Sequence, residues 1–375
     1  MRVGKLSIFT ATLLAVSLVA STGYAQEGEY MPDQANLPDA KFGNMGLNPW
    51  VTIGANVSFG HNYNVVGKQD GQNWTIGASL DTGVDYQKDG HDWRNNILLL
   101  ETFTYGPPIN EWIKSADSLS FKSIYYYKIP NVPWLGPFAR FQLETSIFPG
   151  ADARSDENNQ WYKVDDLGNP QILHTGKFFI LTNYGFPLTL REAIGLFARP
   201  FSKPEVEWEF RAGLGATEVF ADGQLALTGT EGDDSMGGDL DGINDIEVRD
   251  LSNYVQFGAE AGMSIAGKLY KNKFSYKAWA DIMFPLVRTN KAAGATQGNV
   301  ADLMNVDIGV RLEFKLVSWA TLNYEFKAVR QPQLVDGFQI QNLLLLTFKY
   351  SPVEKKKEAP PAEAASTEPP AATEG

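Results

Sequence analysis

The sequence predicts an all-β chain: an antiparallel transmembrane β-barrel of about 12 strands, with long loops at one end and a disordered C-terminal tail. Three observations predict it. Segment after segment alternates apolar and polar residues, the signature of a strand, because successive side chains point to opposite faces. Short turns and long polar loops take turns between those segments. The polar face is densely charged, above all in 306–329. There Val306, Ile308, Val310, Leu312 and Phe314 oppose Asp307, Gly309, Arg311, Glu313 and Lys315, and Ala320, Leu322, Tyr324, Phe326 and Ala328 oppose Thr321, Asn323, Glu325 and Lys327. A soluble sandwich buries its apolar face; a membrane barrel turns that face to lipid and the polar face to the lumen. The competing reading is a soluble all-β sandwich.

The ends of the chain set the compartment. Arg2 and Lys5 precede an apolar run, Leu6–Ala20, that is too short to span a bilayer, and Gly23-Tyr24-Ala25 offers small residues for cleavage. Residues 1–25 therefore read as a signal peptide, with a transmembrane anchor as the alternative. Its removal takes the formal charge from −12 to about −14. No other apolar run is long enough for a helical span. The chain has no cysteine, which excludes disulfides and thiolate metal sites. The acidic balance, with no basic stripe, excludes nucleic acid. Residues 26–48 read as a polar leader, 49–350 as the barrel, and 351–375, rich in Pro, Ala and Glu, as a periplasmic tail unable to bury enough surface to fold. That tail is solvated or docks a periplasmic partner.

In order, strands are expected at 50–60, 73–86, 92–105, 117–128, 136–148, 174–186, 205–219, 252–265, 273–286, 306–315, 320–329 and 338–350. The phase of 92–105 is ambiguous because Ile97–Leu100 are all apolar; Glu101 is assigned inward. Segment 187–204 has a locally helical look and is bounded by prolines, so it reads as a short helix or an irregular connection. Loops 61–72, 107–116, 149–173, 220–250, 288–301 and 330–337 fall at one end; turns 88–91, 130–135, 266–272 and 315–319 fall at the other, with 187–204 the exception among short turns. Long external loops with short periplasmic turns are the outer-membrane pattern. Trp50, Trp74, Trp93, Trp134, Trp208 and Tyr350, near strand ends, suit interfacial girdles.

The run Trp74-Thr-Ile-Gly-Ala-Ser-Leu, then Trp93-Arg-Asn-Asn-Ile-Leu-Leu-Leu with Tyr105-Gly106, then KSADSLSFKSIYYYKI and ARFQLETSIFPG, resembles the N-terminal half of an outer-membrane β-barrel family of unknown function common in Bacteroidetes-type bacteria. The resemblance implies the fold and the outer membrane. It implies no functional residue, and the long acidic stretch and the Pro/Ala tail depart from the family pattern.

The alternation assigns a lumen lined by Asp81, Asp85, Arg140, Glu144, Glu207, Glu209, Arg211, Glu260, Lys277, Asp281, Asp307, Arg311, Glu313, Glu325 and Lys327. Such a mixed field suits a passive channel or transporter for small solutes. The alternative is a filled structural barrel that binds at its surface through acidic loops. The loop 231–250 carries candidate Ca²⁺ ligands, Asp239, Asp241, Asp245 and Glu247, but its spacing departs from an EF-hand, and a solvated acidic loop, or one bridged to lipopolysaccharide by divalent cations, is the competing reading. Otherwise no cofactor is expected. The expected partners are outer-membrane lipid and lipopolysaccharide. Three histidines (His61, His91 and His174), with no nucleophile motif beside them, argue against an enzyme.

Overall fold

The computed structural model describes residues 46–353, apart from 63–70, 108, 166, 204, 228–244, 271, 290–302, 333 and 334. The expected signal peptide, the leader up to residue 45 and the tail from 354 lie outside the described residues. In chain order the strands are β1 (Gly46–Asn62), β2 (Gly71–Lys88), β3 (His91–Tyr105), β4 (Trp112–Tyr127), β5 (Leu135–Thr145), β6 (Gly150–Ala153), β7 (Gln160–Val164), β8 (Pro170–Thr175), β9 (Phe178–Thr182), β10 (Leu188–Lys203), β11 (Val206–Phe220), β12 (Leu225–Leu227), β13 (Asp245–Asp250), β14 (Tyr254–Leu269), β15 (Phe274–Thr289), β16 (Asn305–Val317), β17 (Ala320–Gln331) and β18 (Val335–Val353).

Twelve of them close into one barrel in the order β1-β18-β17-β16-β15-β14-β11-β10-β5-β4-β3-β2. Every neighbouring pair is antiparallel, including the seam where β1 meets β18 (Ala55 opposite Phe348, Val57 opposite Leu346). The alternation sorts the side chains as the sequence requires. Outward residues such as Ile76, Ile97, Ile194, Leu214, Phe257, Phe284, Ile308 and Leu344 are apolar and exposed, while their polar neighbours are turned in. This is the inverse of a soluble core: the apolar belt faces the surroundings, as in a lipid-embedded barrel. No helix among the described residues is long and apolar enough to cross a membrane, and the barrel needs none.

Twelve is the expected number, but one member is different. The expected strand 174–186 lies outside the barrel, and its place is taken by β10, inside the segment 187–204 that looked helical. Read with a period of two, Leu188, Leu190, Ile194 and Leu196 face out while Thr189, Arg191, Ala193, Phe197 and Arg199 face in. The hairpin to β11 is correspondingly tight, with Lys203 opposite Val206. The short-turn end of the barrel therefore has no long exception. The prolines sit where sheets tolerate them: Pro187 precedes β10, and Pro200 falls at a register shift between Ala198 and Phe201.

Further corrections concern phase. In β3 the buried residues are Asp92, Arg94, Asn96, Leu98, Leu100 and Thr102, so Glu101 faces outward, opposite Asp117 of β4. Trp74, Trp93, Trp134, Trp208 and Tyr350 are exposed as girdle residues should be, but Trp50 is buried on the lumenal face, its indole lying against Gly83.

The expected long loops at 149–173 and 220–250 are partly folded. β7 pairs with β13 in parallel (Trp161 opposite Ile246), and with β8 and β12 they form a four-stranded sheet beside the β6–β9 pair. Trp161, Leu181, Ile246 and Val248 make its core, with Phe179, Leu225 and Leu227 against it. The Trp161 indole donates to Asp152 at 2.9 Å, as does Arg154. This cap sits at the long-loop end. In the turn joining β7 to β8, the backbone amide of Asn169 donates to Asp165 at 2.8 Å, and this bond, with the Asn169 side-chain amide and the Leu167 amide, holds the exposed carboxyl below its ordinary range.

The reassignment of β10 is directly testable. Leu196 and Ile180 are equally exposed, at 58%. Only Leu196 lies on the barrel wall. Leu196→Arg should cost about 2–4 kcal/mol of folding free energy in lipid vesicles, as for cations near a bilayer midplane. Ile180→Arg, on the cap, should stay within about 0.5 kcal/mol. Urea titrations of the two variants measure the difference.

Candidate lumenal site

All fifteen residues assigned to the lumen fall on the inward face, and the structure shows what they do there. Near the short-turn end, Glu209 of β11 is held by two strands at once. Tyr126 donates its hydroxyl to Oε1 at 2.9 Å, and Arg199 donates Nε to Oε2 at 2.6 Å. Arg199 also reaches Asp92 of β3 at 3.3 Å, and Asp92 accepts from Nε and Nη2 of Arg94 at 2.8 and 2.6 Å. The Arg199 guanidinium lies 4.0 Å over the Tyr126 ring, which rests edge-on against Phe197. Arg211 extends the network to Asp281 of β15 at 3.0 Å. Asp92, Arg94, Arg199, Glu209 and Arg211 are all buried. Their contacts span the lumen, because β3 and β10 are three strands apart, as are β4 and β11.

The next layer is a single strong bridge. Arg140 of β5 donates Nη2 to both carboxylate oxygens of Glu260 on β14, at 2.6 and 2.7 Å. Space for that carboxylate comes from Gly215, where an added Cβ would fall 2.7 Å from Oε2. Gln142 donates to Glu144 on the same wall. Higher still, Arg191 of β10 lies 3.9 Å from Glu144 and 4.0 Å from Asp307 of β16. Lys327 pairs with Asp307 at 3.4 Å, and the Trp279 indole donates to Asp307 Oδ1 at 2.8 Å. The indole lies flat across Gly309, where a Cβ would come within 2.2 Å of the ring.

The remaining predicted residues are spread over both walls. Arg311 donates Nε and Nη2 to Glu325 at 3.0 and 2.7 Å. Asp81 accepts from Asn96 at 2.6 Å, Ser202 donates to Glu207 at 3.3 Å, and Lys277 lies 5.8 Å over the Trp279 ring. Asp85 is buried, whereas Thr52, Ser79, Asp81, Glu313, Asn323 and Thr347 are only half-buried. The lumen is therefore asymmetric. The arc from β3 through β16 is laced by cross-lumen ion pairs; the arc of β17, β18, β1 and β2, with the foot of β16, sets partly solvated polar side chains among buried ones such as Asn56, Asp85, Thr321, Glu325 and Lys327.

Sequence reasoning missed Asp92, Arg94, Arg191 and Arg199. The first two were hidden by the apolar run in β3, the others by the helical look of β10. The signal in β10 was present: Arg191, Ala193, Gly195, Phe197 and Arg199 form an unbroken i, i+2 series of inward residues. Of the candidate Ca²⁺ ligands, Asp239 and Asp241 lie outside the described residues, while Asp245 and Glu247 pair within β13 against Gln160 and Tyr162. Among the described residues no three His, Asp or Glu side chains group as a metal site would require. His91 contacts the Tyr125 hydroxyl at 2.6 Å on the outer rim, and His174 stacks on Phe179 in the cap.

Removing one partner of a buried pair strands the other charge. Arg199→Ala leaves Glu209 and Asp92 without their shared cation and should cost about 3–5 kcal/mol in vesicle unfolding titrations. Arg199→Lys should recover only part of this, because a point charge cannot serve both carboxylates as the planar guanidinium does.

No family model and no curated protein matches this chain, so the family resemblance drawn on residues 74–150 finds no further support in sequence. Solved structures with a similar architecture include the following three. The translocator domain of the autotransporter NalP from Neisseria meningitidis is 8% identical and covers 82% of this chain and 89% of its own, at a TM-score of 0.35. An outer membrane channel from Pseudomonas putida F1 is 10% identical over 84% and 97%, at 0.35. A deletion mutant of the TodX monoaromatic hydrocarbon channel is 7% identical over 83% and 91%, at 0.33. At such scores the likeness is to barrels in general, and no function transfers from it.

Proposed function

We propose that the protein is a narrow passive channel of the bacterial outer membrane, passing small polar solutes through a mixed-charge lumen. The observation that carries this reading is the partly solvated polar strip formed by Thr52, Ser79, Asp81, Glu313, Asn323 and Thr347, facing an arc that ion pairs have filled. A structural barrel has no need to leave one wall wet. The apolar outward belt and the exposed aromatics at the strand ends support a lipid surround, with lipopolysaccharide against the long-loop end. Export through a cleaved N-terminal signal belongs to the same reading.

A filled barrel acting through its surface is the second reading. The specific observation in its favour is the folded cap, whose β7–β13 pairing invests two loops in a defined surface.

Single-channel recording in planar bilayers separates the two. Discrete conductance steps are expected. Glu313→Gln should move ion selectivity toward anions. Arg311→Gln, which leaves Glu325 without its guanidinium, should move it toward cations. A folded but silent barrel would defeat the channel and favour the cap.

A further inference from the structure

Past β5 the chain crosses the outer wall of the barrel before it enters the cap. Asp117 of β4 lies on the outward face: it is opposite Glu101, while Ser118 and Ser120 are buried on the inward face. Its carboxylate accepts the backbone amides of Ile147 at 2.9 Å and Phe148 at 2.6 Å. Lys114 bonds the same carboxylate at 3.0 Å and donates to the Phe148 carbonyl at 2.9 Å. Charge-assisted bonds thus clamp residues 147 and 148 to the lipid-facing side of β4. The clamp sits at the aromatic end of the belt. Lys114 is opposite Phe103, and Trp112 is opposite Tyr105, their rings 5.5 Å apart. Phe103 and Trp112 are both exposed.

The β6–β9 ribbon starts from this clamp. Gly150 is opposite Thr182, and the rings of Phe148 and Tyr184, one on each side of that pair, meet edge-on at 6.4 Å. The two faces of the ribbon are unlike. Asp152, opposite Phe179, accepts from the Trp161 indole, and Phe179 packs on the cap core. Ala151, opposite Ile180, and Ala153, opposite Phe178, face the other way. On that face and at its base, Phe148, Phe178, Ile180 and Tyr184 are all exposed, Tyr184 at 68%. Large apolar side chains gathered on one exposed face mark a contact surface. This one is continuous, through Phe148 and the clamp, with the apolar belt of the barrel.

We propose that the outer face of the β6–β9 ribbon is a membrane-docking surface, seated where headgroups meet acyl chains in the leaflet around the long-loop end. Its occupant is the lipid that already surrounds the belt. Phe148 and Tyr184 lie deepest, and Ile180 and Phe178 follow. Tyrosine suits that depth, with its ring toward the chains and its hydroxyl toward the headgroups. A cation there reaches the headgroups at small cost, so Ile180→Arg remains a mild change in folding. The β7–β8 turn is a different surface. Leu167 is 85% exposed, but Asp165 and Asn169 enclose it in a polar turn, and it stays in water. The docking requires the lipid-embedded barrel and goes beyond the channel reading, on which it does not depend.

The test places a fluorophore on single cysteines of the full-length protein in phosphatidylcholine vesicles. Quenching is compared between lipid nitroxides, one near the headgroup and one deep in the acyl chain, and iodide present on both sides of the membrane. Ile180→Cys and Tyr184→Cys should lose most of their emission to the shallow nitroxide and little to iodide. Leu167→Cys should show the reverse. Leu196→Cys, on the barrel wall, should answer to the deep nitroxide and so report insertion. If Ile180→Cys and Tyr184→Cys are quenched by iodide as strongly as Leu167→Cys, while Leu196→Cys still answers to lipid, the docking is overturned and the barrel stands. Loss of lipid quenching at Leu196→Cys as well overturns the two together.

Discussion

A backbone amide in hydrocarbon has no water to bond, and each one left unpaired costs several kcal/mol. A sheet can meet that constraint only by closing on itself. In this protein closure falls to β1 and β18, the first and last strands of the described chain, whose register from Ile53 opposite Tyr350 to Val57 opposite Leu346 completes the ring. Once the ring is closed, the strand's period of two leaves each residue only two places to face. Most apolar side chains go to the outside and most charged ones are forced together inside. The lumenal network is thus a consequence of closure before it is anything else.

Charges confined in that way cannot stay single. The side of the lumen between β3 and β16 meets the cost of their desolvation by pairing, within a strand, between neighbours and across the barrel, with arginine at most junctions. Arg94, Arg140, Arg199, Arg211 and Arg311 each hold a carboxylate through at least one charge-assisted bond of 3.0 Å or shorter. Glycine sets how close the partners come: Gly215 admits the Glu260 carboxylate and Gly309 the Trp279 ring. The arrangement divides the lumen into a cross-braced arc and a wetter one.

Much of this was legible in the residues. β16 and β17 declare both their type and their phase, because every second residue is charged or small and polar. The fifteen assigned lumenal residues keep that face in three dimensions. The failures share a physical cause. In β3, Ile97–Leu100 offers apolar residues to both faces, and periodicity carries no information where both faces are alike; the lumen accepts Leu98 and Leu100, and Glu101 is turned out. In β10, spacing such as Leu190, Ile194 and Phe197 fits a helical stripe as well as a strand, and only pairing with β5 and β11 decides. The cap was unreadable for another reason. Its core joins Trp161 to Ile246 and Val248 across two loops, a contact of long sequence separation with no local pattern to announce it. The aromatic and β-branched residues of 160–164 and 245–250 were its only trace.

The central claim is that the chain is turned inside out, apolar face to lipid and charged face to lumen, and β10 is where that claim is most exposed to refutation. The chain contains no native cysteine, so each introduced one reports alone. Single cysteines at consecutive positions from Leu190 to Ala198, labelled with a fluorophore in vesicles and quenched by lipid-borne quenchers, give the most direct test. The structure predicts strong quenching at Leu190→Cys, Ile194→Cys and Leu196→Cys and weak quenching at Arg191→Cys, Ala193→Cys and Phe197→Cys, a period of two. A period near 3.6, or quenching that does not alternate, would contradict the barrel wall described for this segment and the lumen built upon it.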